Sequence, residues 1–177
     1  MLPKRPALLV RPETSADIAA VRVVNEAAFG RAVEADLADR IRASDRAVPG
    51  LSLVADLDGR VVGHILLSYA DLEQGGGAVT DLLLLSPMAV LPAHQGAGIG
   101  GRLIRAALDE AETREEPLVL VQGQPSYYPR FGFERARPIG IEPPLDGLDA
   151  AWMARRLTRW APSLRGRVRY PPAFEGL

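Results

Sequence analysis

The chain has 177 residues, 47% of them hydrophobic and 24% charged, and its formal net charge is −1. These values predict one globular domain over residues 1–177 and argue against a disordered or membrane-spanning chain, because no apolar run approaches the ~20 residues that cross a bilayer. The near-zero charge gives no general basic footprint for nucleic acid. With no cysteine and two histidines, we expect neither disulfides nor a metal site. No apolar segment follows the basic N-terminus, so we expect no secretory signal and a cytoplasmic protein.

The first third of the chain predicts a strand followed by two helices. Residues 7–11 are apolar and are typical of a strand, whereas Thr14 and Asp17 resemble a capping box that opens a helix. Gly30 ends that helix, and residues 31–45 predict a second one with apolar residues at four-residue spacing.

The middle of the chain predicts three strands. Residues 51–56 and 60–69 flank Asp58-Gly59, a dipeptide typical of hairpin turns. Residues 79–90 form a longer apolar strand that contains Pro87. Because proline cannot donate a hydrogen bond to a neighbouring strand, it predicts a bulge or, alternatively, an edge strand.

The second half of the chain predicts a parallel pair of strands. A helix over 98–114 connects the long strand to a buried strand over 117–122, and such a crossover makes the two strands parallel. The fold class is therefore α/β. The C-terminal elements are a short helix over 126–131, a strand from Phe133, an amphipathic helix over 150–160 that carries Trp152, and a last strand over 166–170.

A glycine-rich loop, residues 95–101, joins the long strand to the following helix. This arrangement favours an anion, because the first N–H groups of a helix have no internal partner and glycine allows close approach. Gly96-x-Gly98-x-x-Gly101 formally satisfies the dinucleotide fingerprint, but Pro92-Ala93-His94-Gln95 separates it from the strand, and the acidic residues some twenty positions on precede a strand rather than end one. The Walker loop is excluded, since no Gly-Lys-Ser/Thr follows.

Two segments carry a family resemblance. Residues 90–100 follow the pattern Val-x-Pro-x-x-Gln-Gly-x-Gly-x-Gly, and residues 127–133, Tyr-Tyr-Pro-Arg-Phe-Gly-Phe, contain Tyr-x-x-x-Gly-Phe. They resemble the acetyl-CoA pyrophosphate loop and the later tyrosine segment of the GNAT superfamily of N-acetyltransferases. The phrase Gln-Pro-Ser-Tyr-Tyr-Pro-Arg-Phe-Gly-Phe, with a late Tyr-Pro-Pro-Ala-Phe, is similar to the YhbS-like branch. The resemblance covers nearly the whole chain.

This resemblance implies a fold, a co-substrate and a set of site residues. The fold would be a mixed, mostly antiparallel α/β (α+β) sheet of about six to seven strands, flanked by helices and splayed where acetyl-CoA binds. Tyr128 would be the general acid for the leaving thiolate. The residues that would hold acetyl-CoA are Met88, Ala89, Val90, Gln95, Gly96, Ala97, Gly98, Ile99, Gly100, Gly101 and Arg102.

The implied activity is direct transfer of an acetyl group from acetyl-CoA to an amine, which a small molecule or a protein could supply. The alternative is a non-catalytic acyl-CoA-binding sensor or interaction module. We expect no nucleic-acid or membrane partner and allow for a homodimer.

The general base is not identified by the sequence. An ammonium must lose a proton before it can attack, and four residues are candidates for accepting it, directly or through water: Glu26, Glu34, Asp81 and Ser86. Phe29, Glu26 and Glu34 are also possible acceptor contacts. We interpret His64 as a packed or hydrogen-bonded strand histidine, with substrate contact as the alternative.

Overall fold

The fold is built on one mixed sheet, seen in a computed structural model that describes residues 7–177. Within these residues the strands are β1 (Leu8–Pro12), β2 (Ala47–Leu57), β3 (Arg60–Glu73), β4 (Val79–Val90), β5 (Leu118–Gln122), β6 (Glu134–Arg135), β7 (Ile141–Glu142), β8 (Trp152–Arg156) and β9 (Gly166–Arg169). The main path runs β1-β2-β3-β4-β5-β8-β6, and β9 joins β3 to β7. Pairs β4–β5 and β7–β9 are parallel and the others antiparallel. The predicted mixed sheet is confirmed. It has nine strands in the described residues instead of about six to seven, because β7 and β8 were not predicted as strands.

Helices cover both faces of the sheet. The helices are α1 (Ile18–Phe29), α2 (Val33–Arg42) and α3 (Ile99–Glu112). Because successive side chains of a strand point to opposite faces, Ile65 and Leu67 of β3 join the core that contains α3, whereas Leu66 packs with α2. The helices on the two faces of the sheet cover β3 and β4, so that both faces of these two strands are buried.

Strand β4 carries the irregularity that Pro87 predicts. Its register with β3 shifts between the pairs Ile65↔Met88 and Leu67↔Leu85, so that Ser86 and Pro87 lie opposite Leu66 alone. This is a bulge. On its other side β4 pairs with β5 only over residues 83–85 in the described chain, although β4 continues to Val90. The sheet is therefore open along the second half of β4.

The amphipathic helix predicted over 150–160 is wrong. This segment contains β8, which pairs antiparallel with the whole of β5 and with β6. Met153 packs into the core on the α3 side, whereas Trp152 and Ala154 pack into the core on the opposite face. The free edge of β5 provides a pairing partner for this segment, and burial on both faces gives a run of apolar residues that also fits helical spacing.

The other predicted elements are present with shifted ends. The helix expected over 31–45 is shorter, and the strand expected over 51–56 begins earlier, at Ala47. Part of the last strand is observed as β9, which pairs with β3. No helix of the described residues combines the length and apolar character needed to cross a membrane.

Candidate active site

The glycine-rich loop ends in the first turn of α3. Gly96 and Gly98 have φ values of 79° and 80°, a left-handed conformation that side chains with a Cβ rarely adopt. Gly98 is the N-cap, and the first backbone bond of the helix runs from the N–H of Arg102 to the carbonyl of Gly98 at 3.1 Å. The Gln95 side chain donates to the Val90 carbonyl at 3.0 Å and so ties the loop to the end of β4. The first turn of α3 therefore presents unpaired N–H groups.

A cleft of about 540 Å³ opens in front of this turn. It is lined by Met88, Ala89, Val90, Gln95, Gly96, Gly98, Ile99, Gly100 and Gly101, together with residues from α1 and from the turn after β5. Its volume is in the range of ligand-binding pockets. Arg105 and Arg130 also line the cleft, and no carboxylate of the described chain lies among its lining residues. The N-terminus of α3 adds its partial positive charge, so the cleft favours an anion.

The gap between β4 and β5 leads from this cleft into a second pocket of about 380 Å³. Phe29, Met88 and Tyr127 line both cavities. The second pocket continues along Ser86, Pro87 and the end of β5 to Tyr128. A long ligand bound at the loop can therefore reach Tyr128 through the open part of the sheet.

Tyr128 lies in the wall of the second pocket and is 9% exposed. Its ring makes edge contacts with Tyr127 and Phe133 at centroid distances of 5.2 and 5.5 Å. Burial raises the pKa of the Tyr128 phenol to about 12, so the hydroxyl keeps its proton at neutral pH. Gly123 packs against the ring so closely that a Cβ there would lie 2.2 Å from Cε2 of Tyr128. A side chain at position 123 would thus displace the phenol.

Comparison with known proteins decides the family. A model described as "Acetyltransferase (GNAT) domain" matches residues 49–135. The uncharacterized N-acetyltransferase YjhQ of Escherichia coli is 38% identical over 158 residues, which are 86% of this chain and 86% of that protein. The chain belongs to the GNAT family of N-acetyltransferases. The resemblance seen in the sequence is thereby confirmed, as is the expected class of enzyme, an acyltransferase.

Solved GNAT structures extend the similarity to the C-terminal region. The structure of YhbS from Escherichia coli, in complex with CoA, has a TM-score of 0.88 at 28% identity and covers 98% of this chain and 95% of its own. A GNAT acetyltransferase from Brucella melitensis, in complex with acetyl-CoA, has a TM-score of 0.78 at 33% identity, covering 96% and 99%. The strands β7 to β9, which lie beyond the residues matched by the family model, thus belong to a fold that these relatives share.

Two residues that the GNAT loop pattern assigned to the cofactor do not line the cleft. Arg102 donates from its side chain to the Leu8 carbonyl at 3.0 Å, while its backbone N–H is bonded within α3. Ala97, between the two left-handed glycines, is exposed and also lies outside the lining. The structure therefore separates these two positions from the rest of the predicted set.

Three polar side chains that line the cleft lie outside the set predicted from the sequence, namely Arg105, Arg130 and His94. Arg105 lies four residues after Gly101, on the same face of α3, so helical spacing could have identified it. Its guanidinium stands over the Phe131 ring at 5.1 Å, and that of Arg130 stands over the Tyr127 ring at 4.7 Å. Stacking fixes both cations beside the cleft.

The four candidate bases separate into two groups. Asp81 is 53% exposed and pairs with Arg46, and Glu26 pairs with Arg22. Neither lines the described cavities. Glu34 and Ser86 both line the second pocket, which leaves them as candidates for accepting a proton there.

His64 lies away from these cavities, in a buried polar cluster. Asn25 donates one amide hydrogen to the Val21 carbonyl, so its contact of 3.1 Å with Nδ1 of His64 uses the other. Nδ1 then accepts, and Nε2 carries the proton, facing Ser52 at 3.1 Å and Glu13 at 3.3 Å. The prediction of a hydrogen-bonded strand histidine fits this geometry.

The charges in this cluster are set by burial and by hydrogen bonds. Burial lowers the pKa of His64, and Glu13 offsets this only in part, so the imidazole is neutral at pH 7. Burial alone would raise the pKa of Glu13, but hydrogen bonds from His64, Arg42 and Ser52 outweigh it and bring that pKa to about 2. The cluster therefore joins α1, α2, β2 and β3 through one ionised carboxylate.

No group of three His, Cys, Asp or Glu side chains within residues 7–177 is arranged to hold a metal ion.

Proposed function

We propose that the chain transfers an acetyl group from acetyl-CoA to a primary amine, directly and without a covalent enzyme intermediate. The observation that carries the proposal is the continuity of the cationic cleft at α3 with the second pocket at Tyr128. Relatives that bind CoA or acetyl-CoA with the same fold support it. Acetyl-CoA would place its phosphates at the loop and its pantetheine arm in the gap beside β4.

The donor would be held mainly by backbone groups. N–H groups from the loop and the first turn of α3, Gly96 to Gly101, would bind the pyrophosphate, while Arg105 and Arg130 would add charge. Backbone groups of Met88 to Val90, which have no β5 partner, would pair with the pantetheine amides. A strand N–H near Met88 would stabilise the carbonyl oxygen as it gains charge.

The transfer step needs three protons to be moved. The ammonium of the acceptor first gives a proton to a base, for which Glu34 and Ser86 with a water are the candidates in the pocket. The amine nitrogen then attacks the thioester carbon, a C–N bond forms, and the C–S bond breaks with its electron pair leaving on sulfur. Tyr128 donates its proton to the thiolate, and solvent restores the phenol. The positively charged nitrogen then loses one of its two protons to solvent and keeps the other, giving an amide and CoA thiol.

The proposal is tested by titration calorimetry with acetyl-CoA and, separately, NADH, followed by release of CoA thiol in the presence of a panel of primary amines. We expect acetyl-CoA to bind and NADH not to bind. Thiol release that depends on the amine supports transfer. Tight acetyl-CoA binding with no turnover on any amine would favour the non-catalytic sensor. NADH binding would mean that Gly96-x-Gly98-x-x-Gly101 is a dinucleotide-binding loop.

A further inference from the structure

A third cavity, of about 520 Å³, adjoins the second pocket on the side away from the loop. It lies between α2, the middle of β4, the end of β5, and the C-terminal segment 170–177. We call it the apolar groove. Leu85, Ser86, Gln122 and Glu34 line both the second pocket and the groove. The groove therefore opens directly onto the place where Tyr128 lies.

The groove is lined mainly by hydrocarbon, including side chains that solvent reaches. Leu145 is 60% exposed, Leu177 is 54% exposed and Val33 is 37% exposed. Phe29, 41% exposed, stands at the neighbouring mouth of the second pocket. Most of the large exposed hydrophobic side chains of the described residues thus lie around the groove and the adjoining second pocket. Such clustering marks a binding surface, whereas isolated exposed residues do not.

Glu34 provides the charge at the inner end of the groove. Its side chain is 14% exposed, and it is the one acidic side chain among the described residues that line the second pocket. Its partner is Arg31, whose side chain is 63% exposed. Because solvent screens a pair of this kind, an ammonium entering the pocket can take the place of the guanidinium.

We propose that the acceptor is a small primary amine with an elongated apolar or aromatic body, bound with its ammonium at Glu34 and its body in the apolar groove. This inference rests on the proposed function and narrows its substrate class. The nitrogen would then lie in the second pocket, beside Tyr128 and the acyl end of the donor. An amine with a carboxylate next to its nitrogen would fit worse, because that carboxylate would share the pocket with Glu34.

The first test uses unbranched primary amines from ethylamine to octylamine with saturating acetyl-CoA. Each methylene that enters the groove leaves water, so we expect kcat/KM to rise about fourfold per methylene until the groove is filled. Phenethylamine should be a better acceptor than phenylalanine. Spermidine and ethanolamine, which are polar along their length, should be poor acceptors. A flat or falling series, or a preference for polyamines or amino acids, would overturn the inference.

The second test separates the charge from the apolar wall. Glu34→Gln should raise KM for hexylamine at least tenfold and leave acetyl-CoA affinity unchanged. Asp36→Asn, an exposed change on the same helix, is its matched control. Leu145→Ser should flatten the chain-length series, whereas Val79→Ser, a similarly exposed site away from the groove, should not. Equal behaviour of a variant and its control would contradict the assignment.

Two further measurements distinguish a failure of the proposed function from a failure of the acceptor inference alone. Absence of acetyl-CoA binding overturns the proposed function, and the inference falls with it. If acetyl-CoA binds but hexylamine neither reacts nor binds the CoA-loaded protein in calorimetry, the inference alone is overturned. Sedimentation at the assay concentration tests whether a second copy covers the groove. A dimer that Leu145→Ser converts to monomer would make this face an interface rather than an acceptor site.

Discussion

At the level of single residues, the site depends on how one phenol is held. Tyr128 lies between the rings of Tyr127 and Phe133, and it lines the second pocket. Its pKa of about 12, raised by burial, disfavours the phenolate. A protonated phenol can donate to a thiolate but cannot accept a proton from an ammonium, so the acid and the base must be different groups.

Tyr128→Phe removes the proton donor and leaves the aromatic packing in place. We expect kcat to fall about 100-fold, within the range typical of general acid catalysis, with acetyl-CoA affinity unchanged. Assays of CoA thiol release measure kcat, and calorimetry measures the affinity for acetyl-CoA. Tyr69→Phe, which removes a hydroxyl bonded to Arg114 elsewhere in the molecule, serves as the control. Unchanged turnover in Tyr128→Phe would show that the residue only packs.

Gly123 provides an independent way to disturb the same phenol. In Gly123→Ala the new methyl would lie 2.2 Å from the Tyr128 ring, which must move. We therefore expect a large loss of kcat with retained acetyl-CoA binding.

Gly75→Ala is the matched control, since a Cβ there meets nothing within 4 Å and the backbone is not left-handed. The double variant Gly123→Ala/Tyr128→Phe should have the same kcat as Tyr128→Phe alone, because both changes act on the same function, proton donation by the Tyr128 phenol. Additive losses would contradict this explanation.

At the level of elements, the loop and α3 act as one unit for binding an anion. Gly98→Trp puts a large side chain at the N-cap, where a Cβ meets nothing because the cleft is open. We expect acetyl-CoA affinity to fall at least 100-fold in calorimetry. Gly59→Trp, in the β2–β3 turn, has a similar left-handed φ of 85° and equally open surroundings. Gly59→Trp should lower the free energy of unfolding about as much as Gly98→Trp does, but it should leave acetyl-CoA affinity unchanged. If the two variants bound acetyl-CoA equally well, the loop would not be part of the acetyl-CoA site.

The sequence predicted those elements whose signal is local. Left-handed glycines, the capping box and the Asp58-Gly59 turn act over a few residues, so the loop, α1 and the β2–β3 hairpin are found nearly where expected. Strand β8 was missed because its conformation depends on the free edge of β5, which lies about thirty residues away in the chain and is not visible in a local pattern. A pattern of apolar residues alone cannot tell a strand buried on both faces from a helix.

The site divides in the same way. The loop residues and Tyr128 are implied by the resemblance of two short segments to the GNAT family, and their roles stay predictions. The choice among four candidate bases could not be made, because it depends on which of α1, α2 and β4 faces the gap in the sheet. Only the folded arrangement brings Glu34 to the second pocket and directs Asp81 to Arg46.

At the level of the whole molecule, the Glu13–His64 cluster connects elements that border the cleft. Asn25 belongs to α1, whose last residue, Phe29, lines the cleft and the second pocket. His64 pairs in the sheet with Ala89, which also lines the cleft. The cluster thus fixes α1 against the part of the sheet where the donor would bind, and its ionisation state matters for the fold as a whole.

The pH dependence of stability follows from the two lowered pKa values. The pKa of His64 is below its ordinary 6.5 in the folded protein, and that of Glu13 is about 2 instead of 4.5. The unfolded chain therefore binds more protons, first below pH 6.5 through the histidine and then below pH 4.5 through the glutamate. The stabilisation that these two groups contribute is fully present above pH 6.5. On acidification the free energy of unfolding falls, by up to about 1.4 kcal/mol per pH unit for each extra proton that the unfolded chain binds.

Urea unfolding between pH 8 and pH 5 measures the histidine's part of this slope. His64→Gln keeps amide groups that can face Asn25 and Glu13 but has no proton to gain, so its free energy of unfolding should lose most of the dependence in that window. His94→Gln, a change just before the glycine-rich loop, is the control and should retain this pH dependence. If His64→Gln kept the same slope as the parent, another group would have to be taking up the proton, and the buried neutral imidazole could not be what stabilises the protein above pH 6.5.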